Sequence, residues 1–443
     1  MTINKFSFRS EEVKVAIAKA AAQLGYSSLK PKQQTALTYF FEGRDVFVNL
    51  PTGSGKSLCY FVLPLAFDCL RHCETSPKSI VLVVSPLIAL MKDQVQTLQR
   101  KGVRGVYVGD ADEATRSQIH NGEFQLVFMS PEAVLTNPEW RDMLQSPVYQ
   151  ENLVAFVVDE AQCVKKWGET FRREFLHLGE VRSLVDPEVR IMALTATATK
   201  TTRKCVCNTL GMKHPTVVTQ SPNKQNIKYI VNTKAASLEE MFAPLVEELR
   251  LNRTSMDRVI IFGQSYDDCS RIYLFLKSRL GKQLTEPIGA PKLARFALCN
   301  MFSACTHPNV KEEVLKSFCD PNGLLKIVVA TIAFGMGLDC PNVHRIIHWG
   351  PPSDIESYLQ ETGRAGRDGK KAVVTLHYSN LELASTTMTS EMKEYCRNKK
   401  ECRRRLLLKD FDDCSVETET QTCQCCDVCS IQCQCTDCVI VSD

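Results

Sequence analysis

The segment Asp45–Ser57 reads DVFVNLPTGSGKS, and it decides the fold class of this 443-residue chain. It begins as a short apolar run and continues as a glycine-containing loop that ends in Lys56 and Ser57. A buried strand followed by such a loop is typical of proteins that bind nucleotides, because backbone N–H groups of the loop surround the phosphates. The segment therefore predicts a parallel sheet with a phosphate-binding loop at the end of one strand.

The loop has the side chains that this chemistry requires. Lys56 is placed to reach the terminal phosphates, and the Ser57 hydroxyl is placed to bind Mg²⁺. The strict pattern has glycine at the position of Leu50, so the generic motif is only partly met. The residues expected to surround the nucleotide here are Thr52, Gly53, Ser54, Gly55, Lys56 and Ser57.

An acidic pair follows a second apolar run, Val154–Val158. Asp159 is predicted to hold Mg²⁺, and Glu160 is predicted to orient and deprotonate the attacking water. Alone, such a pair is usually a solvated turn. Together with the loop at Lys56, it predicts nucleotide hydrolysis.

Hydrolysis also needs cations near the phosphoryl group that is transferred. The string QETGRAGR, at Gln360–Arg367, carries Arg364 and Arg367 three positions apart after a helical stretch. Both are candidate arginine fingers. A surface arginine pair in a glycine-rich turn is the alternative interpretation.

Short runs rich in valine and isoleucine alternate with helical patterns along most of the chain, as in parallel sheets covered by helices. They form two sets, which predicts two α/β lobes joined near Gln220–Lys234. The first set of predicted strands is Asp45–Asn49, Ile80–Ser85, Leu126–Met129, Val154–Val158 and Ile191–Thr195. The second set is Val259–Phe262, Ile327–Thr331, Arg345–Trp349 and Ala372–His377.

Charge and hydropathy restrict the function only weakly. The chain has 54 Lys and Arg against 50 Asp and Glu, and a net charge of +4 does not by itself indicate a nucleic-acid partner. The basic run Arg397–Arg405 fits either a phosphate contact or a solvated helix face. No run of about 18 apolar residues occurs, so we expect no membrane association and residence inside the cell.

The 21 cysteines fall into two groups. Those before Cys396 are scattered singly, as expected for reduced thiols. Seven lie between Cys423 and Cys438, a density that points to metal. The spacing of Cys423, Cys426 and Cys429, with Cys402 on the segment ECRRRLLL as a distant fourth ligand, allows a tetrahedral Zn²⁺ site. Cys425 would then be a spare cysteine, and the later cysteines either tail or an incomplete second site.

These motifs, in this order, resemble the superfamily-two helicases, and several strings narrow the resemblance to the RecQ family of DNA helicases. Gly25–Gln33, reading GYSSLKPKQ, is similar to the family's adenine-reading segment. The resemblance implies that Tyr26 stacks on adenine and that Gln33 bonds it, which suits an amide with one donor and one acceptor. Lys30 stands where the family usually has arginine.

Other strings extend the resemblance from Tyr26 to about Cys429. They are SPLIALMKDQV at Ser85–Val95, WGETFR at Trp167–Arg172, LTATAT at Leu194–Thr199, ATIAFGMGLDCPNV at Ala330–Val343 and YLQETGRAGRDG at Tyr358–Gly369. The DNA-contacting residues that the resemblance implies are Lys92, Trp167, Phe171, Arg172 and Thr331. Stacking of the aromatic residues on bases would need no sequence preference.

Two segments depart from the family pattern. Gln162 ends the acidic tetrad where the family commonly has histidine, so the coupling of hydrolysis to DNA is expected to differ. Gly289–Ser317 lacks an expected DNA-contacting string. No winged-helix segment follows the cysteines within this chain, so we expect movement along single strands to exceed duplex separation.

The resemblance implies two tandem RecA-like parallel-sheet lobes, at 1–218 and 219–385, a small helical zinc-binding subdomain at 386–435, and a tail at 436–443. It further implies a nuclear enzyme that hydrolyses ATP with Mg²⁺, moves 3′ to 5′ on single-stranded and tailed duplex DNA, and acts in recombination, repair or replication. A DNA-binding scaffold with an inactive motor and an RNA helicase on the same lobes are the alternatives.

Overall fold

The computed structural model describes residues 8–73, 78–168, 173–331, 334, 340–411 and 423–433, with the side chains of 166–168, 173 and 432 excepted. It divides into two compact units, one ending at Ser221 and also including Phe411, the other beginning at Pro222. In this part of the chain, no helix combines the length and the apolar character needed to cross a bilayer.

The first unit alternates helices and strands along the chain, and two helices precede its first strand. Its strands are β1 (Val46–Asn49), β2 (Ile80–Val84), β3 (Gly105–Tyr107), β4 (Leu126–Met129), β5 (Leu153–Val158), β6 (Arg190–Thr195) and β7 (Thr216–Thr219). Its helices are α1 (Ser10–Gln23), α2 (Pro31–Phe41), α3 (Leu58–Leu70), α4 (Ile88–Arg100), α5 (Glu113–His120), α6 (Pro131–Thr136), α7 (Pro138–Gln145), α8 (Pro147–Asn152), α9 (Cys163–Gly168) and α10 (Lys200–Thr209). Short 3-10 helices cover Val108–Asp110 and Arg173–Ser183.

All seven strands of this unit pair in parallel, in the order β3-β4-β2-β5-β6-β1-β7. The strands β2 and β5 are buried along their full length, because helices cover both faces of the sheet. The core lies largely between this sheet and the helices α1, α2 and α3. The phosphate loop follows β1 and the acidic pair follows β5, so both lie at the carboxyl edge of one sheet.

The second unit is built in the same way. Its strands are β8 (Ile227–Thr233), β9 (Arg258–Gly263), β10 (Cys299–Phe302), β11 (Ile327–Ala330), β12 (Val343–Trp349) and β13 (Ala372–Tyr378). Its helices are α11 (Leu238–Asn252), α12 (Tyr266–Leu280), α13 (Pro308–Cys319), α14 (Ile355–Thr362), α15 (Asn380–Leu383), α16 (Ser390–Arg397), α17 (Arg403–Leu408) and α18 (Asp427–Gln432). Short 3-10 helices cover Arg253–Ser255, Gly281–Leu284 and Ala294–Phe296. The parallel sheet has the order β10-β11-β9-β12-β13-β8.

The expected pair of parallel-sheet lobes is confirmed, and the boundary between the two units, at Ser221 and Pro222, lies within the predicted join Gln220–Lys234. The sequence did not predict the strand in this segment. The second half of Gln220–Lys234 forms β8, which pairs with β13. Its odd-numbered positions from Ile227 to Val231 are buried while the positions between them are partly exposed, a two-residue alternation that the flanking Pro and Asn obscured. The sequence also did not predict β3, β7 and β10, which have three or four residues each.

The strand β8 lies at the edge of the second sheet, and the cysteine segment covers it. The Tyr229 N–H donates to the Cys425 carbonyl at 3.2 Å, and the Val231 N–H donates to Asp427 Oδ2 at 3.1 Å. An uncovered edge strand exposes unpaired backbone groups. The C-terminal cysteine module thus completes the second sheet.

The basic run Arg397–Arg405 is neither purely a phosphate contact nor purely a solvated face. Arg403 and Arg404 are 3% and 2% exposed. Arg403 Nε pairs with Asp427 Oδ1 at 2.5 Å. Arg404 donates to the carbonyl of Ile227 at 2.6 Å and to that of Lys224 at 2.8 Å, so it fastens α17 to the start of β8.

We predict that Arg404→Met lowers the free energy of unfolding of the second unit by about 2–4 kcal/mol, because buried carbonyls lose their donor. The matched control is Arg405→Met on the same helix, where the side chain is exposed and a change within about 0.5 kcal/mol is expected. Denaturant unfolding of both variants measures the difference. Equal stability of the two would show that Arg404 does not fasten the module.

Candidate active site and metal centre

The phosphate loop is shaped by two glycines in left-handed backbone conformations. Gly53 has φ of +83° and Gly55 has φ of +80°, a region that side chains disfavour. Lys56 Nζ donates to the carbonyl of Leu50 at 3.1 Å. Leu50 itself is 1% exposed and belongs to the apolar core, which accounts for its departure from the glycine of the strict motif.

Gln33, predicted to read adenine, is hydrogen-bonded to this loop. Its Nε2 donates to the carbonyls of Ser54 and Gly55, both at 2.9 Å, and its Oε1 accepts from the backbone N–H of Lys30 at 2.9 Å. A Cβ at Gly55 would lie 2.7 Å from Gln33 Nε2, so glycine is required there. Both amide N–H donors are occupied, so a bond from Gln33 to a base would require it to exchange partners. Adenine recognition by Gln33 therefore stays a prediction.

Tyr26 presents an aromatic ring at the surface. It is 41% exposed, and Lys101 Nζ lies 4.5 Å from the ring centroid. The ammonium contributes a cation–π contact there. Lys30 Nζ lies 3.4 Å from the carbonyl of Gly53. The segment Tyr26–Gln33 and the phosphate loop therefore border one site, as an adenine nucleotide would require.

Asp159 lies in a buried hydrogen-bond network that joins three elements. Tyr60 Oη lies 3.0 Å from Asp159 Oδ2 and 2.9 Å from Gln94 Oε1. Gln94 Nε2 donates to Ser57 Oγ at 3.3 Å. Burial and the neighbouring Glu160 charge raise the pKa of Asp159 to about 6, against the lowering effect of Lys56. A divalent cation would favour the ionised form, which fits the predicted Mg²⁺ position.

Glu160 is held by Gln162. Gln162 Nε2 donates to Glu160 Oε2 at 2.7 Å, and Thr195 Oγ1 donates to Gln162 Oε1 at 2.6 Å. Glu160 also has φ of +51°, which is unusual for a residue with a side chain. An uncharged amide thus connects the candidate base to Thr195, within the string Leu194–Thr199 that carries part of the resemblance.

The residues predicted to contact DNA are scattered over both units. Lys92 is paired with Asp110 at 2.8 Å, and both side chains are about half exposed. Thr331 directly follows β11. Phe171, Arg172 and the side chain of Trp167 lie outside the described residues. Their DNA contacts stay predictions.

The turn that carries the candidate arginine fingers is held from within the second unit. Arg364 is 4% exposed. Lys224 Nζ donates to the carbonyls of Gly363 and Ala365, at 2.6 and 3.2 Å. Asn226 Nδ2 donates to the carbonyl of Gly366 at 2.8 Å. The turn at Arg364 and Arg367 is therefore fixed by the segment that Arg404 also binds, while the finger role itself stays a prediction.

Four thiols cluster at the edge of the second sheet. The Sγ atoms of Cys402, Cys425, Cys426 and Cys429 lie within 4.8 Å of one another, and all four residues are buried. A tetrahedral zinc tetrathiolate with Zn–S of about 2.3 Å has S···S separations of about 3.8 Å; Cys402 and Cys425 are 3.5 Å apart. The arrangement fits a closed structural zinc site.

The acid–base properties of the thiols also suit a cation. The hydrogen bond with Cys425 lowers the pKa of Cys402 and raises that of Cys425. Burial raises the pKa of Cys429 to about 12. Without a cation these thiols cannot all be ionised at neutral pH, whereas bound Zn²⁺ stabilises the thiolates.

The cluster differs from the metal prediction at one position, since among the described residues Cys425 rather than Cys423 lies with the other three thiols. Which of these two cysteines binds the metal stays a prediction. The chain turns at 423–425, and the Cys423 carbonyl accepts from Ser430 Oγ at 2.7 Å. Pairing with Tyr229 holds the backbone of Cys425 against β8. Spacing along the chain does not reveal such a turn.

Sequence reasoning also missed Tyr60 and Gln94. Tyr60 lies in the apolar string LCYFVL, which indicates core packing. Gln94 lies in the string Ser85–Val95, in which only Lys92 was given a role. The signal for Tyr60 was a hydroxyl in an otherwise apolar helix directly after the phosphate loop, since a buried hydroxyl needs a partner.

We predict that Gln162→Leu lowers kcat for ATP on the order of tenfold and leaves KM nearly unchanged, because Glu160 loses its positioning donor. Gln162→His retains a donor and should keep more turnover. The control is Gln118→Leu on the exposed face of α5. Steady-state ATPase kinetics measure all three, and wild-type kcat in Gln162→Leu would contradict this role.

For the metal centre, we predict about one zinc ion per chain in wild type and in Cys423→Ser, and loss of zinc in Cys425→Ser. Metal analysis of protein purified under reducing conditions gives the result. Loss of zinc in Cys423→Ser and its retention in Cys425→Ser would support the assignment made from spacing. Zinc-free wild-type protein would reject the centre.

Three family models match successive parts of the chain. They are the DEAD/DEAH box helicase model at residues 30–205, the helicase conserved C-terminal domain at 240–369 and the RecQ zinc-binding model at 377–430. Their order follows the two lobes and the cysteine module. The candidate nucleotide site lies largely within the first match, and the thiol cluster lies within the third.

Similar proteins agree with these matches. The ATP-dependent DNA helicase RecQ of Pasteurella multocida is 32% identical over 92% of this chain, which spans 61% of that relative. A DUF1998 helicase MrfA bound to DNA has a TM-score of 0.65 at 18% identity, covering 83% of this chain and 52% of the other. DEAD-box helicase Mss116 bound to single-stranded RNA has a TM-score of 0.64 at 17% identity, covering 95% of this chain and 85% of the other.

These structures share the fold of two parallel-sheet lobes. With the three family matches and the sequence relative, this places the chain in the RecQ family of superfamily-two helicases.

Proposed function

We propose that this chain is an ATP-dependent DNA helicase or translocase that hydrolyses ATP with Mg²⁺ and moves 3′ to 5′ on single-stranded DNA, including the tails of duplexes. The observation that carries the proposal is the carboxyl edge of the first sheet. There the phosphate loop follows β1, while Asp159 and Glu160 follow β5 on the other side of β6. Gln162 and Thr195 hold the candidate base.

The buried network around Asp159 supports an active engine. Asp159 and Glu160 are 4% and 8% exposed, although carboxylates are rarely buried without a partner or a ligand. Ser57 joins the network through Gln94. A scaffold with an inactive motor would have no need for Lys56, Ser57 and both carboxylates together, so this alternative is disfavoured.

The position of Gln94 also supports a coupling between DNA binding and ATP hydrolysis. Gln94 lies on α4, which also carries Lys92 about one turn after the helix begins at Ile88. The exposed pair of Lys92 with Asp110 is worth at most about 1 kcal/mol, so a DNA phosphate can replace Asp110 easily. Movement of α4 on binding DNA would reach Ser57 and Asp159 directly through Gln94.

DNA is preferred to RNA as the polymer because the sequence relative described above is named a DNA helicase and because the zinc module is of the RecQ type. The fold alone supports either polymer, since structures bound to DNA and to RNA are equally similar. An RNA helicase is therefore the second candidate. A role in recombination, repair or replication and nuclear residence belong to this proposal.

The test is steady-state ATPase of the full chain without polymer, with single-stranded DNA and with RNA. We expect stimulation by DNA, and separation of 3′-tailed but not 5′-tailed duplexes. Glu160→Gln should keep nucleotide binding and lose turnover by about 100-fold or more, because water loses its base. Stimulation by RNA alone would favour the second candidate, and wild-type turnover in Glu160→Gln would rule out the assigned base.

A further inference from the structure

Two cysteines of the second unit lie in contact, away from the zinc cluster. Cys319 ends α13 and Cys340 precedes β12, and their Sγ atoms are 3.7 Å apart. Cys340 is 2% exposed, whereas Cys319 is partly exposed. The sequence predicts both as isolated reduced thiols, because 21 positions separate them.

One buried arginine fixes the backbone beside each thiol. Arg258 is 1% exposed, and its guanidinium donates to the carbonyl of Asp320 and, at 2.8 Å, to the carbonyl of Pro341. Each of these residues directly follows one of the two cysteines. The Arg258 backbone N–H also donates to the Asn342 carbonyl at 3.1 Å. The guanidinium therefore clamps two distant chain segments so that their thiols face each other.

Two cationic side chains lie near the pair. Arg258 interacts electrostatically with both Cys319 and Cys340. Lys326 is 9% exposed. Burial lowers the pKa of Lys326, and the nearby charge of Arg258 lowers it further. A thiol near such cations ionises more readily, and the thiolate is the reactive form. The core thiol Cys299 lacks these surroundings, and burial raises its pKa well above the ordinary value.

We propose that Cys319 and Cys340 form a reversible disulfide with low-molecular-weight disulfides such as oxidised glutathione as the oxidant. The bridge closes a loop that contains β11 and Thr331, a predicted DNA contact. The proposal does not depend on the proposed function, because its product is a covalent bond.

The chemistry is a pair of exchange steps. The Cys319 thiolate, the more accessible one, attacks one sulfur of oxidised glutathione, whose S–S bond breaks and releases one glutathione thiolate. The Cys340 thiolate then attacks Cys319 Sγ in the mixed disulfide, and the second glutathione thiolate leaves. Both thiol protons of the protein end on the two released glutathiones, and the protein loses two electrons to the oxidant.

The experiment uses the full zinc-loaded chain in glutathione buffers of increasing oxidised fraction, followed by alkylation, digestion and mass spectrometry. We expect a cross-linked peptide joining Cys319 to Cys340, about 2 Da lighter than the two reduced peptides together and lost on treatment with dithiothreitol. Cys319→Ser should leave Cys340 alkylated. The control Cys305→Ser, which removes an exposed cysteine, should form the cross-link as wild type does.

Arg258→Lys tests the clamp. Lysine keeps the charge but cannot hold two carbonyls in a fork, so the cross-link should form about tenfold more slowly. Because a substitution at this buried position can prevent folding, the cross-linking result with the wild-type chain decides the proposal. Alkylation of both Cys319 and Cys340 under conditions that glutathionylate Cys305, or a cross-link from either to another cysteine, would overturn it.

Discussion

Within each of the two sheets, the described strands all run in the same direction, and this constraint determines where chemistry occurs. Parallel strands place all their carboxyl ends on one edge. Loops that are distant in sequence therefore meet there. Tyr60 and Asp159 are 99 positions apart yet lie 3.0 Å from each other, because each follows a strand or loop that opens on this edge. The hydrogen bonds of Gln94 and Gln162 can form only because the sheet has already brought β1, β5 and β6 into register.

Much of this arrangement could be predicted from the sequence, and the reasons for the rest are physical. Continuous apolar runs such as Leu153–Val158 identify buried parallel strands, and the phosphate loop and acidic pair follow from chemistry. Edge elements gave weaker signals. The strand β8 has one solvated side and polar neighbours. Arg403 and Arg404 have a sequence pattern typical of exposed cations, because nothing in local sequence reveals the carbonyls and the carboxylate that they meet on burial.

The second unit joins its metal centre to its arginine turn through one short segment. Arg404, two positions after Cys402, donates to the carbonyls of residues 224, 225 and 227. Within the same segment, Lys224 and Asn226 bind carbonyls of the turn that carries Arg364. The segment that carries the four clustered thiols thus fixes, through three side chains, the position of a turn in another part of the unit. The cysteine module is therefore part of the framework of the lobe rather than an appendage to it.

The covered edge of β8 has a consequence for how the protein aggregates when the module loses its order. The module satisfies the N–H groups of Tyr229 and Val231 only while its own backbone is ordered, and we expect a bound metal to order it. A chain stripped of zinc exposes an open parallel edge next to apolar side chains, which is a template for adding a strand from another molecule. Chelation should therefore lead to self-association at high protein concentration before the rest of the sheet unfolds. For a protein of this architecture, we expect the supply of metal during synthesis to affect solubility through this edge.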